Sequence, residues 1–216
     1  VPVACGSSTK NIGIHPLLDL LILCFPSPLE RGSVEGKNPK TGGVETRAPK
    51  EDGPFSAFVF KTIADPFAGK LSLFRVYSGS VNADSTVYNS KKEAKERIGQ
   101  IFLMEGKKQK PVGFAGVGDI VAVAKLKETP TGDTFCDEKM PILFVETKLP
   151  LPVVTYALTP KSKGDEDKIT SSLARIHEED PTMMIGRDAQ TGEVLLSGIG
   201  QTHVEVIVEK LKRKFG

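Results

Sequence analysis

Cysteine is scarce and carries no pairing pattern: Cys5, Cys24 and Cys136 are odd in number and form no Cys-x-x-Cys. That excludes a disulfide framework or a thiolate zinc site, and a reducing cytosol is the expected compartment. An excess of one charge is also lacking. The 216 residues hold 29 Lys+Arg against 27 Asp+Glu, a formal +2. No overall field draws the chain to nucleic acid, so any such contact must come from a local patch. Long hydrophobic runs are missing too. The longest, residues 17–25, has nine residues and includes Asp19, short of the ~20 that cross a bilayer. No Lys- or Arg-led signal precedes it. What is present is ordinary for a globular protein, with 39% hydrophobic and 26% charged residues. The length allows one large domain or two small ones.

The chain opens at Val1, and residues 1–5 read as a strand of an internal fragment. Pro16 then suits the first turn of a helix that Pro26 and Pro28 end. Seven of the nine residues 17–25 are Leu, Ile or Phe, so this helix is apolar nearly all round and is expected to bury itself on the barrel or against another copy. Residues 29–54 hold five Gly, three Pro and five charges of each sign. They read as a surface connection, with residues 32–53 mobile in part. From Phe55 to about Lys148 come short β-rich runs: alternation at 58–62, then 71–76, 86–88, 98–103, 120–123 and 141–145. Turn signals separate them, including Asp65-Pro66, Ser78-Gly79 and Thr131-Gly132-Asp133. Such spacing argues a closed antiparallel barrel or a sandwich. After Leu149 the period changes. A strand at 153–159 precedes a helix with Ile169, Leu173 and Ile176 in register, and Asp165-Glu166-Asp167 mark its start. Strands at 182–186 and 194–197 follow, then a helix with Val204, Ile207, Val208, Leu211 and Phe215 on one face. The order β-α-β-β-α is a split βαβ unit without its last strand, which leaves an unpaired edge at 153–159.

Several strings stand out together: Pro2-Val3-Ala4-Cys5-Gly6-Ser7, Leu73-Phe74-Arg75-Val76-Tyr77-Ser78-Gly79, Gly118-Asp119-Ile120 and Thr131-Gly132-Asp133-Thr134. Glu178-Glu179-Asp180-Pro181-Thr182 and Ser197-Gly198-Ile199-Gly200-Gln201-Thr202-His203 complete the set. In this order they resemble bacterial translation elongation factor G or a divergent paralogue of it. The family's last string reads Ser-Gly-x-Gly-Glu-Leu-His, and Gln201 and Thr202 depart from it. The resemblance implies a GTPase-domain tail (1–30), a connection (31–53), a second-domain β-barrel (54–147) and a truncated ferredoxin-like α+β domain (150–216). It also implies a cytoplasmic protein that promotes GTP-dependent translocation. The partners implied are small-subunit ribosomal RNA and protein, with GTP and Mg²⁺ as cofactors of the intact protein. Neither a phosphate-cradling Gly-Lys-Ser/Thr loop nor an Asn-Lys-x-Asp occurs, so the chain alone is read as non-enzymatic, with no cofactor, metal or catalytic residue of its own. Gly6, Ser7 and Ser8 match the family's guanine-side loop as a remnant. Other translational GTPases of the ribosome-protection, recycling or termination type share part of these strings.

The strongest local charge excess lies at 89–111. Lys91, Lys92, Lys95, Arg97, Lys107, Lys108 and Lys110 oppose only Glu93, Glu96 and Glu105 there. On one shared face they would neutralise RNA phosphates; otherwise they are lysines blunting a sheet edge. No aromatic is interleaved for base stacking. Lys210, Lys212, Arg213 and Lys214 complement a helix C-terminus. His15 reads as a surface or domain-contact residue and His177 as a partner of Glu178 and Glu179. His203, with Gly198 and Gly200, fills an interdomain or packing role in the family motif. An acylphosphatase-like enzyme would need a basic loop after the first strand of the third domain. Residues 160–164 supply two lysines but no Asn. The chain is expected to be monomeric, with any self-contact through helix 17–25.

Overall fold

The computed structural model describes residues 1–216 except 66–68, 107, 128, 161–165 and 216. The Asp65-Pro66 turn, Lys107, most of the 160–164 loop and the Asp165 helix start therefore fall outside the described residues, at least in part. The chain begins with α1 (Ile14–Cys24) and α2 (Pro28–Arg31), then β1 (Val34–Lys37) and β2 (Val44–Arg47). Next come β3 (Ser56–Asp65), β4 (Gly69–Ser78), β5 (Val81–Asn82), β6 (Thr86–Asn89) and β7 (Ala94–Arg97). They are followed by β8 (Ile101–Glu105), β9 (Lys108–Val112), β10 (Phe114–Ala115), β11 (Ile120–Ala124), β12 (Thr134–Cys136) and β13 (Leu143–Phe144). The last part holds β14 (Val154–Leu158), α3 (Glu166–Glu179), β15 (Met184–Arg187), β16 (Val194–Gly198) and α4 (Gln201–Phe215). No helix among the described residues is long and apolar enough to cross a membrane.

The first body is an antiparallel β-barrel built on an eight-stranded sheet in the order β7-β6-β12-β3-β4-β11-β8-β9, with β5 and β10 paired separately. Its core is one cluster of inward positions, among them Val59, Phe74, Val76, Ile101, Val121 and Phe135. The alternation of β4 sends Phe74 and Val76 inward and leaves Leu73, Arg75 and Tyr77 between them half-exposed, as a sheet with one buried face requires. The second body is ferredoxin-like. Its three strands run antiparallel in the order β14-β16-β15. α3 and α4 cover one face and contribute Leu173, Ile176, Val204 and Ile207 to a second core. β14 is an edge strand among the described residues, which matches the free edge expected at 153–159.

Two expectations fail at the amino-terminal end, and of the two places expected for helix 17–25 the barrel is excluded. Residues 1–5 form no strand; only an isolated bridge, Ser7 to Ile12, appears there. Leading strand residues need a neighbour to pair with, and none of the described strands lies against them. α1 forms, but no residue of it is buried, and Ile22 and Leu23 remain more than 80% exposed. It therefore does not fold onto the barrel. Residues 31–53 are no bare connection either. β1 and β2 form a hairpin, and β1 also pairs with β13, so Leu143–Phe144 sits in this small sheet and not in the eight-stranded one. The Asn38 carboxamide oxygen accepts the N–H groups of Lys40 and Thr41 at 2.9 and 3.2 Å and fixes the turn. The buried Arg47 donates to the Met140 carbonyl at 2.6 Å. A charged residue that makes the anchoring contact hides the segment from a hydrophobic pattern.

Candidate functional site

The basic residues lie on two hairpins. β6 and β7 carry the first group and β8 and β9 the second, at opposite ends of the hydrogen-bonded strand order, so the two groups are not sheet neighbours. At the β6–β7 tip the Asn89 side-chain oxygen accepts the N–H groups of Lys91 and Lys92 at 3.1 Å each. Its amide nitrogen faces inward and donates to Thr129 Oγ1 at 3.0 Å and Asp133 Oδ2 at 2.8 Å. Lys91 is drawn into this buried network, bonded to Glu146 and 3.6 Å from Asp133 Oδ1. Burial pushes the Asp133 carboxyl up against the opposing pull of Asn89 and Lys91.

The other basic groups stand farther out. Lys95 pairs with Glu138 at 2.8 Å, Arg97 with Asp84 at 3.8 Å and Lys110 with Glu105 at 4.0 Å. Lys92 and Lys108 have no ion pair within 4.0 Å among the described residues. Glu146, Glu138 and Asp84 lie outside the 89–111 window, so the excess counted along the sequence is partly cancelled in space. These carboxylates are distant in sequence, and composition over a window gives no signal for them.

The Gly6-Ser7-Ser8 loop is a tight, exposed turn. Ser7 and Ile12 exchange backbone hydrogen bonds at 3.0 Å, and the Ile12 carbonyl comes so close that a Cβ on Gly6 would sit 2.7 Å from it. The Ser7 N–H and the carbonyls of Ser7 and Ser8 are spent on holding the turn. Gly198 has a similar reason to be glycine, since a Cβ there would meet His203 Nδ1 and Val204 Cγ2 at 2.9 Å. β16 thus ends directly against the first turn of α4. Nothing in the structure explains glycine at position 200.

His203 is held at both ring nitrogens. The Ile199 N–H donates to Nδ1 at 3.1 Å, which leaves Nε2 to carry the proton and donate to Asp180 Oδ2 at 2.8 Å. Burial would raise the Asp180 carboxyl, but the Thr182 hydroxyl, His203 and the Thr182 N–H together hold it below its ordinary value of 3.8. Asp180 therefore stabilises the domain above that value, and the contribution is lost as pH falls through the depressed one. Asp180→Asn is expected to cost about 1–2 kcal/mol at pH 7, with the difference from the parent closing in acid. Urea midpoints between pH 3 and 7 check this; a cost that is flat with pH would refute it. His177, by contrast, is exposed. The expectation that it pairs with Glu178 and Glu179 is not met, because these take Lys70 and Lys214 instead. Among the described residues no group of metal-ligating side chains is gathered.

Two family models match the chain in succession. Elongation factor G domain 2 covers residues 54–138, and Elongation Factor G, domain III covers 149–216. The chain belongs to the elongation factor G family. A crystal structure of a Thermus thermophilus protein superposes with a TM-score of 0.78 at 31% identity, over 99% of this chain. The chain spans 30% of the length of that protein. The barrel and the ferredoxin-like body are thus the second and third domains of an elongation factor G-type protein. The strings read along the sequence mark that family.

Proposed function

We propose that this chain is a ribosome-docking, non-catalytic portion of a translational GTPase whose intact form promotes GTP-dependent translocation in the cytoplasm. The observation that carries this reading is the succession of domain 2 and domain III matches on one chain that aligns over 99% of its length with a 31% identical structure. In this reading the barrel docks on small-subunit RNA and protein, and the third domain relays changes of orientation. GTP and Mg²⁺ belong to the intact protein. The Gly6-Ser7-Ser8 turn has its Ser7 N–H engaged by the Ile12 carbonyl and supplies one edge of a guanine site at most.

Of the basic residues, Lys92, Arg97, Lys108 and Lys110 are the RNA contacts, because their cations are unpaired or held only by long, exposed pairs. Lys91 serves the barrel instead. The test is co-sedimentation of the chain with vacant ribosomes over a salt series. Changing Lys92, Arg97, Lys108 and Lys110 together to Glu is expected to lower affinity at least about tenfold and to flatten the salt slope by about one for each phosphate no longer neutralised. Equal affinity and slope for parent and variant would overturn the reading.

A further inference from the structure

Glu178, Glu179 and Asp180 set three consecutive carboxylates at the C-terminal end of α3, where negative charge opposes the helix dipole. A local choice that works against its own helix points to a reason elsewhere in the molecule. Each carboxylate reaches a different element. Glu178 pairs with Lys70 on β4 of the barrel at 3.6 Å. Glu179 pairs at 2.7 Å with Lys214 near the end of α4, and Asp180 with His203 in its first turn at 2.8 Å. The body of α3 lies against β3, and Arg175 stands 6.0 Å from the Phe215 ring centroid at the end of α4.

We infer that the last turn of α3 is a coupling device that ties the seating of the barrel to the seating of α4. The physical link is a shared ordering cost. All three pairs need the same terminal turn to be fixed, and helix ends fray when nothing holds them. Once one pair has ordered the turn, the others form at lower cost, so the contacts are cooperative although Lys70, Lys214 and His203 pair with three different carboxylates. The barrel pair is the weakest link, with Glu178 half-exposed. Exposed pairs shift an equilibrium by a few-fold only, and salt screens them. A link of that strength adds register to the packing of α3 on β3. This needs no ribosome and stands independently of the docking reading.

The test is hydrogen exchange on the full chain, followed peptide by peptide. Lys70→Ala is expected to speed amide exchange about 2–5-fold in residues 176–180 and in the first turn of α4. The β6–β7 hairpin should be unchanged and serves as the internal control. The charge swap, Lys70→Glu with Glu178→Lys, should restore parental rates, and 1 M NaCl should reproduce the Lys70→Ala pattern in the parent. Unchanged α4 exchange in Lys70→Ala overturns the coupling. So does a folded charge swap, checked by far-UV circular dichroism, that fails to restore it.

Discussion

Phe135→Ala is expected to cost the barrel about 3–5 kcal/mol, the range for emptying an aromatic site in a close-packed core. Phe135 is fully buried and meets Phe74 edge-to-face, with centroids 5.6 Å apart and planes at 88°. Its strand, β12, is only three residues long, yet it is the tie between β6 and β3. Removing the ring takes away the packing against Phe74 and leaves a cavity where the two halves of the sheet meet. Because the ferredoxin-like body has its own core, the loss should stay in the barrel. Peptide-resolved hydrogen exchange should show β3, β4, β6 and β12 losing protection together while β14 and β16 keep theirs. Equal loss in both bodies would mean that they share one cooperative unit and that the division into two cores is wrong.

The same strand shows why part of this fold is illegible in the residues alone. In β3 and β4 the alternation of buried and exposed positions is long enough to be visible along the chain. α4 is visible for a parallel reason, because Val204, Ile207, Val208 and Leu211 recur at helical spacing. In β12 all three residues, Thr134, Phe135 and Cys136, are buried, so there is no alternation to find. The hairpin of β1 and β2 is hidden in another way. Its third strand, β13, lies about a hundred residues on, and its anchor is an arginine bonded to a carbonyl 93 positions away. The family strings located the Gly198–His203 turn, whose tight contact explains one of its two glycines. They also drew attention to residues 178–180, but the partners of those carboxylates had to come from the structure. The basic hairpins were visible as composition. Which lysines are committed to carboxylates depends on Glu138 and Glu146, and no local window contains them.

Lys91 separates these roles, and Lys91→Glu is expected to cost the barrel about 2–3 kcal/mol at neutral pH. The variant removes the cation beside the buried Asp133 and places a third carboxylate next to Asp133 and Glu146. Asp133 Oδ1 has no hydrogen bond, and the Lys91 ammonium 3.6 Å away is the nearest cation that offsets its charge, beside the Asn89 bond to Oδ2 and a weaker pull from Lys92. The pH dependence has a definite sign. The folded value of Asp133 is raised above 3.8, so the native state holds its proton more tightly than the unfolded chain. Ionising Asp133 therefore weakens the barrel as pH rises from 3.8 through the raised value, and below 3.8 that cost is absent. With Lys91 gone the rise should be larger, so the gap between Lys91→Glu and the parent should be widest at neutral pH and should narrow in acid. Urea midpoints of the barrel at pH 4 and pH 7 measure this. Lys92→Glu is the matched control: Lys92 lies one residue on at the same tip, and its stability is expected to move by less than about 0.5 kcal/mol. If Lys91→Glu leaves barrel stability intact and weakens ribosome binding as much as Lys92→Glu does, Lys91 belongs to the docking surface and not to the core of the barrel.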